Sequence, residues 1–286
     1  PVFSRERKIG SLSGKAWAAG YLGGIICLLI ILFGFVQNEN PLFGVEKESA
    51  ANIRIAGPIV AIWFIVFSLP FLVQIKKNKK IILDKKENLV KEVFFNIKRL
   101  FKKSNQGRFL FSRMIYTDGL NTLFAFGGLY AAGTFKMSFS EIIIFGILIN
   151  ITAGIGSLFF SYLDDKVGPK FIIKISLTFL IIFGSITLII ENKELFLIFG
   201  AALGFFIGSV QSSSRSFMSR YIINGNNAET FGTYAISGKV TAFIGPAVLA
   251  ITVSVFNSQR AGMASIIIFL LVGLILLQRV IEPKLN

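Results

Sequence analysis

Histidine is absent from all 286 residues. That removes the commonest general base, the commonest metal ligand and the one side chain that titrates unaided near neutrality. Cysteine occurs once, at Cys27 inside an apolar run, so no disulfide within the chain can form. A small, buried, apolar role is the expected one for it. Charge is scarce at 16% of residues, against about 25% in soluble domains. Acids are scarcer than bases, 15 against 30, which leaves a net charge of +15. These shortages exclude a histidine-based catalytic site, and no metal centre is expected.

Apolar sequence takes up the room. The chain is 53% hydrophobic, with mean hydropathy +0.70. Many runs approach or exceed the roughly 20 residues that cross a bilayer. Eight spans are expected, at about 17–36, 55–75, 109–133, 142–163, 171–190, 195–214, 231–256 and 261–277. The fold class is therefore all-α, a polytopic membrane protein. The excess of lysine and arginine sits beside the apolar runs, which reads as topology rather than as nucleic-acid binding.

The distribution of that charge tests the count. Numbered from the N-terminus, with Lys174 placed in its preceding loop and Lys239 in the segment of Arg215, the odd non-span segments hold 24 Lys and Arg and the even ones hold 5. By the positive-inside rule the odd segments, both ends of this chain included, are expected in the cytoplasm. The segment 76–108 alone carries 12. Leu89, Val93, Ile97, Leu100 and Phe101 fall near one helical face of it, predicting an interfacial helix against anionic lipid headgroups. Three parts follow: 1–75, a basic central loop over 76–108, and 109–286.

The most polar short connection between two apolar runs is 159–171, FFSYLDDKVGPKF. Gly168 permits a reversal, Pro169 suits a first helical turn, and the two acids suit unpaired N–H groups at a helix start. Ser161-x-Leu163-x-Asp165-Lys166-x-Gly168-x-Lys170 resembles the loop signature of the major facilitator superfamily, Gly-x-Leu-x-Asp-(Arg/Lys)-x-Gly-x-(Arg/Lys). Ser161 stands where that pattern has glycine, and Pro169 where it is often basic. GKAWAAGYLGG, YTDGLNTLFAFGGLYA, GSVQSSSRSFMSRYI and FGTYAISGKVTAFIGP are similar to the vacuole-effluxer-like branch, which includes autophagy-related amino-acid exporters.

The resemblance implies a complete C-terminal six-helix bundle plus the last two helices of an N-terminal bundle. About four further spans are then expected upstream. It implies a secondary transporter of a small solute, with amino-acid efflux as one form, working by alternating access as a monomer without a cofactor. A bacterial cytoplasmic membrane is the expected location. Two other readings stay open: a transport-inactive structural or regulatory membrane protein, and a membrane-embedded enzyme. No glycine-rich phosphate loop supports ATP-driven transport.

Polar side chains inside spans mark pathways or pairs. Asp118, Asn121, Asn150, Gln211 and Lys239 are the candidates for substrate or coupling-ion binding. Asp164, Asp165, Lys166, Gly168, Lys170 and Arg215 are the candidates for a conformational switch. Asp118 and Lys239 fall at matching depth, which predicts an ion pair with Asn121 beside it. Asp165 is expected to cap the helix starting near Pro169 and to pair with a cytoplasmic base, and Asp164→Asn is expected to be the milder substitution. Gly200, Gly204 and Gly208 make a smooth stripe for close packing or sliding.

Overall fold

The computed structural model describes residues 8–45, 50–77, 104–221 and 227–282. The interfacial helix expected over 89–101 lies outside the described residues. Ten α-helices are described: α1 (Ile9–Ile31), α2 (Ala51–Arg54), α3 (Ala56–Lys77), α4 (Asn105–Phe135), α5 (Phe139–Val167), α6 (Pro169–Ile189), α7 (Lys193–Ser219), α8 (Asn227–Ser237), α9 (Ile244–Phe256) and α10 (Gln259–Gln278). The described residues contain no strand. Two compact units divide the chain, one of Pro1–Leu22 with Phe95–Asn286, the other of Gly23–Phe94.

Local sequence sets the helix ends. Ser104 accepts from the Gly107 N–H at the start of α4. Ser138 and Glu141 satisfy each other's backbone N–H groups at the start of α5, a reciprocal cap. Asn192 accepts from the Glu194 and Leu195 N–H groups ahead of α7. Between α5 and α6 the reversal needs one residue, Gly168 at φ +90°, with Pro169 in the first turn of α6.

Among the described residues, six helical stretches are long and apolar enough to cross a membrane: Ile9–Val36, Ala51–Gln74, Phe139–Val167, Pro169–Ile189, Lys193–Ser219 and Gln259–Gln278. Two of the eight expected spans fall outside these six. The third is the 31-residue α4, which carries Arg108, Arg113 and Asp118 and is far less apolar than its neighbours. The seventh is broken: α8 ends at Ser237, residues 238–243 form turns, and the short apolar α9 begins at Ile244. Proline lacks the N–H that would continue a helical ladder; here the break lies ahead of Gly245 and Pro246 rather than at them.

The larger unit packs its core from α4, α6, α7 and α10. Phe109 stacks on Phe217 at 4.0 Å between ring centres, and Phe135 on Phe196 at 4.1 Å. Helices α5 and α7 pack most extensively, and the glycine stripe explains how. A Cβ at Gly208 would fall on the Ala153 carbonyl, and one at Gly204 on Thr152 and Ile149. From the other side, a Cβ at Gly156 would fall on the Phe205 carbonyl. The stripe is keyed into its neighbour, not smooth against it. In the smaller unit, Asn52 donates to the Phe35 carbonyl at 3.4 Å. There α3 leaves Phe64, Phe67 and Phe71 exposed, as a lipid-facing or partner-facing helix would.

Candidate functional site

The α5–α6 turn brings three acids, Asp164, Asp165 and Glu282, to one end of the larger unit. Asp165 lies in the last turn of α5, three residues before Gly168, and does not cap α6. Its carboxylate instead accepts from the Gly10 N–H at 2.8 Å and the Ser11 N–H at 2.9 Å. These are orphan donors in the first turn of α1, where the helix dipole also favours an anion. The expected cap of α6 by Asp165 is thereby corrected. Glu282 does that work, accepting from the Lys170 N–H at 3.3 Å.

Three further contacts hold the first half of α1 against the bundle. Ser13 donates to the Ser212 carbonyl at 2.8 Å, and the Tyr21 hydroxyl donates to Gln211 Oε1 at 2.5 Å. A Cβ at Gly14 would meet Ser161 and the Ser157 carbonyl. The small residue that replaces glycine in the loop signature therefore packs directly on α1.

Asp164 plays a different part from its neighbour. It is fully buried, accepts from Ser216 at 2.9 Å, and pairs with Arg220 at 3.1 Å. The other arm of Arg220 holds Glu282 at 2.9 Å. Lys170 Nζ donates to the carbonyls of Gln278 and Val280. Asn105 exchanges hydrogen bonds with the backbone of Ile281, accepting its N–H at 2.7 Å and donating to its carbonyl. The segment 279–282 is thus pinned across the ends of α4, α6 and α7. Burial pushes the Glu282 carboxyl above its ordinary value, against the pull of Arg220 and Lys170. Burial also raises the Tyr221 hydroxyl, which bonds Asn105, to about 12. Lys166 lies over the Tyr162 ring at 4.4 Å, and both Lys166 and Arg215 are exposed.

The second cluster lies where the seventh expected span breaks. A broken helix presents free carbonyls at one end and free N–H groups at the other, with the dipole ends to match. Both are met from α4. Arg113 donates to the Tyr234 carbonyl at 2.7 Å and to Ser237 Oγ at 2.6 Å, in the last turn of α8, and lies 3.6 Å over the Tyr234 ring. Asp118 Oδ2 accepts from the Gly245 N–H at 3.2 Å, at the start of α9. Asn121 donates to the Gly238 carbonyl at 3.3 Å, in the turn between them.

The expected Asp118–Lys239 ion pair is therefore corrected. Lys239 is exposed in the turn, and among the described residues no ion pair joins it to Asp118. Matching depth along two helices does not fix which way their side chains point, and backbone N–H groups freed by the break supply the donor instead. Asp118 is 2% exposed, and its Oδ1 is buried with no hydrogen bond among the described residues. Arg113 and the Arg220–Glu282 pair were not among the expected site residues. The signal for Arg113 was its place inside an apolar run, five residues before Asp118.

Asn150, the remaining candidate, lines a cavity of about 230 Å³ inside the larger unit, among α4, α5, α6, α7 and α10. The structure does not bring it near Asp118 by any described hydrogen bond; its Nδ2 donates to the Gly146 carbonyl of its own helix at 2.8 Å.

The sequence profile of a family described as "Vacuole effluxer Atg22 like" matches residues 4–284. The uncharacterized MFS-type transporter YxiO of Bacillus subtilis is 21% identical over 281 residues, covering 97% of this chain and 64% of the relative. Autophagy-related protein 22 of Vanderwaltozyma polyspora is 25% identical over 273 residues, covering 84% and 51%. Its counterpart in Schizosaccharomyces pombe is 22% identical over 286 residues, covering 93% and 52%. The chain spans between half and two thirds of the length of these relatives.

Proposed function

This chain belongs to the family of Atg22-like vacuole effluxers, and from that premise we propose that it forms the back part of a secondary transporter that moves a small solute by alternating access. Amino acids are the first solutes to test, by resemblance to the branch. The observation that carries the mechanism is the Asp165 carboxylate seated on the Gly10 and Ser11 N–H groups. It joins a helix start to a turn more than 150 residues away through exposed backbone dipoles, an attachment that can be broken and remade without burying a lone charge. In the expected topology this end is cytoplasmic. The contact then closes the inner side, and its release, together with the Ser13 and Tyr21 bonds, opens it. Asp118, with one oxygen holding α9 and one unpartnered, is the coupling-ion or substrate contact in this reading. Discontinuous helices carry such sites in other transporters.

The test is solute flux in proteoliposomes containing the full-length protein. Ser11→Cys with Asp165→Cys, in a Cys27→Ser background, should lose its remaining flux when oxidised and return on reduction to the low level of Asp165→Asn. Undiminished flux from a fully cross-linked sample would remove the mechanism. Asp165→Asn should express normally and transport poorly. Burial reverses the expected order for its neighbour: Asp164→Asn leaves Arg220 short of a partner in a closed site and should be the more damaging to folding.

A further inference from the structure

We propose that the cavity beside Asn150 is a binding site for an uncharged, mainly apolar molecule carrying one hydrogen-bond donor. Its volume is about 230 Å³. A dry apolar cavity of about 150 Å³ takes benzene, so this one has room for a fused aromatic bicycle. Phe145, Phe196, Leu203, Ile207 and Met263 supply apolar wall, and among the described residues no charged one lines it.

The polar groups in the wall decide the ligand. The Tyr130 hydroxyl donates to the Thr187 carbonyl at 3.2 Å, and Thr187 Oγ1 donates to the Gly184 carbonyl at 2.7 Å. Both hydroxyl hydrogens are engaged within the protein, which leaves only accepting oxygens. Asn150 Nδ2 is engaged with Gly146, but Asn150 Oδ1 has no hydrogen bond among the described residues and is not among the sealed, partnerless atoms. Accepting oxygens in a mainly apolar wall select a ligand that donates to them, because an unmatched polar group is costly there. A zwitterion would bring a carboxylate and an ammonium to a wall whose nearest cation, Arg260, lies behind the Tyr130 hydroxyl and which offers no carboxylate, so free amino acids are disfavoured in this chamber. The site is therefore separate from the Asp118 cluster. It stands whether or not the chain transports, and its test does not use transport.

Indole is the probe: it fits the volume, is neutral and has one N–H donor. Tritiated indole binding to the purified full-length protein is measured by scintillation proximity, with unlabelled competitors. Indole should displace the label saturably. 1-Methylindole, which lacks the donor, should compete about fivefold less well, the scale of one net hydrogen bond. L-Tryptophan, the same ring with a zwitterion, should not compete at equal concentration. Leu203→Trp and Ile142→Trp fill the chamber from different helices and should each abolish binding in protein that remains monodisperse. Asn150→Leu should weaken indole and leave 1-methylindole unchanged. Absence of any displaceable component in the native protein would overturn the proposal. So would undiminished binding in a well-folded tryptophan variant, or displacement by L-tryptophan as strong as by indole.

Discussion

A carboxylate inside a helical bundle takes whatever donor its surroundings leave free, and at Asp118 that donor is backbone. The consequence is testable on single residues. Asp118→Ala removes the cap on α9 and should cost about 0.5–2 kcal/mol, the usual range for losing such a cap. Lys239→Gln, at an exposed position with no ion pair among the described residues, should stay within about 0.5 kcal/mol. Thermal unfolding of both variants and of the double variant should show additive effects; a strong non-additive term would restore the ion pair. Glu282 gives a second prediction. Its folded value lies above the ordinary one, so the folded state keeps its proton to higher pH than the unfolded chain does. The associated stability is full below the unfolded value of about 4.3 and is lost as pH rises through the folded value. Across that window the unfolding temperature of the native protein should fall relative to Glu282→Gln. A native advantage that grows with pH would show that Arg220 outweighs burial.

At the scale of elements, glycine decides what can touch. Gly156→Ala and Gly208→Ala each push a methyl into a facing backbone carbonyl on the partner helix. Each should cost about 1–3 kcal/mol, as overpacking does. Gly20, with nothing within 4 Å of its missing Cβ, is the control: Gly20→Ala should be neutral or stabilising by up to about 1 kcal/mol. Unfolding midpoints of the three variants separate the two environments. Most helices were legible as apolar runs of spanning length. The expected 171–190 compares with Pro169–Ile189, and 195–214 with Lys193–Ser219, the polar last turns having been trimmed. The break at 238–243 was not legible, because Val240, Ala242 and Phe243 keep the hydropathy high while the backbone leaves the helix. The partners of Asp165 and Asp118 were missed for one shared reason. Both accept from backbone N–H groups, and a sequence displays side chains, not which N–H groups a fold will strand.

For the whole larger unit, the contacts sort into those that can part and those that cannot. The first half of α1 is held by a few hydrogen bonds and one carboxylate on a helix start. Helices α5 and α7 are held by carbonyls set against glycines along much of their length. Spin labels at exposed Tyr162 and Arg215 should therefore keep one distance with and without solute, while labels at exposed Leu12 and Tyr162 should show two populations. A shift in the first pair, or a single invariant distance in the second, would show that the bundle divides elsewhere. The keyed pair also has a mechanical meaning. A carbonyl seated over a glycine resists shear until the two backbones separate, so neither helix can be drawn out past the other. Pulled from the bilayer by one end in a force microscope, α5, the one-residue turn, α6 and α7 should leave together in a single rupture, with no intermediate plateau between them.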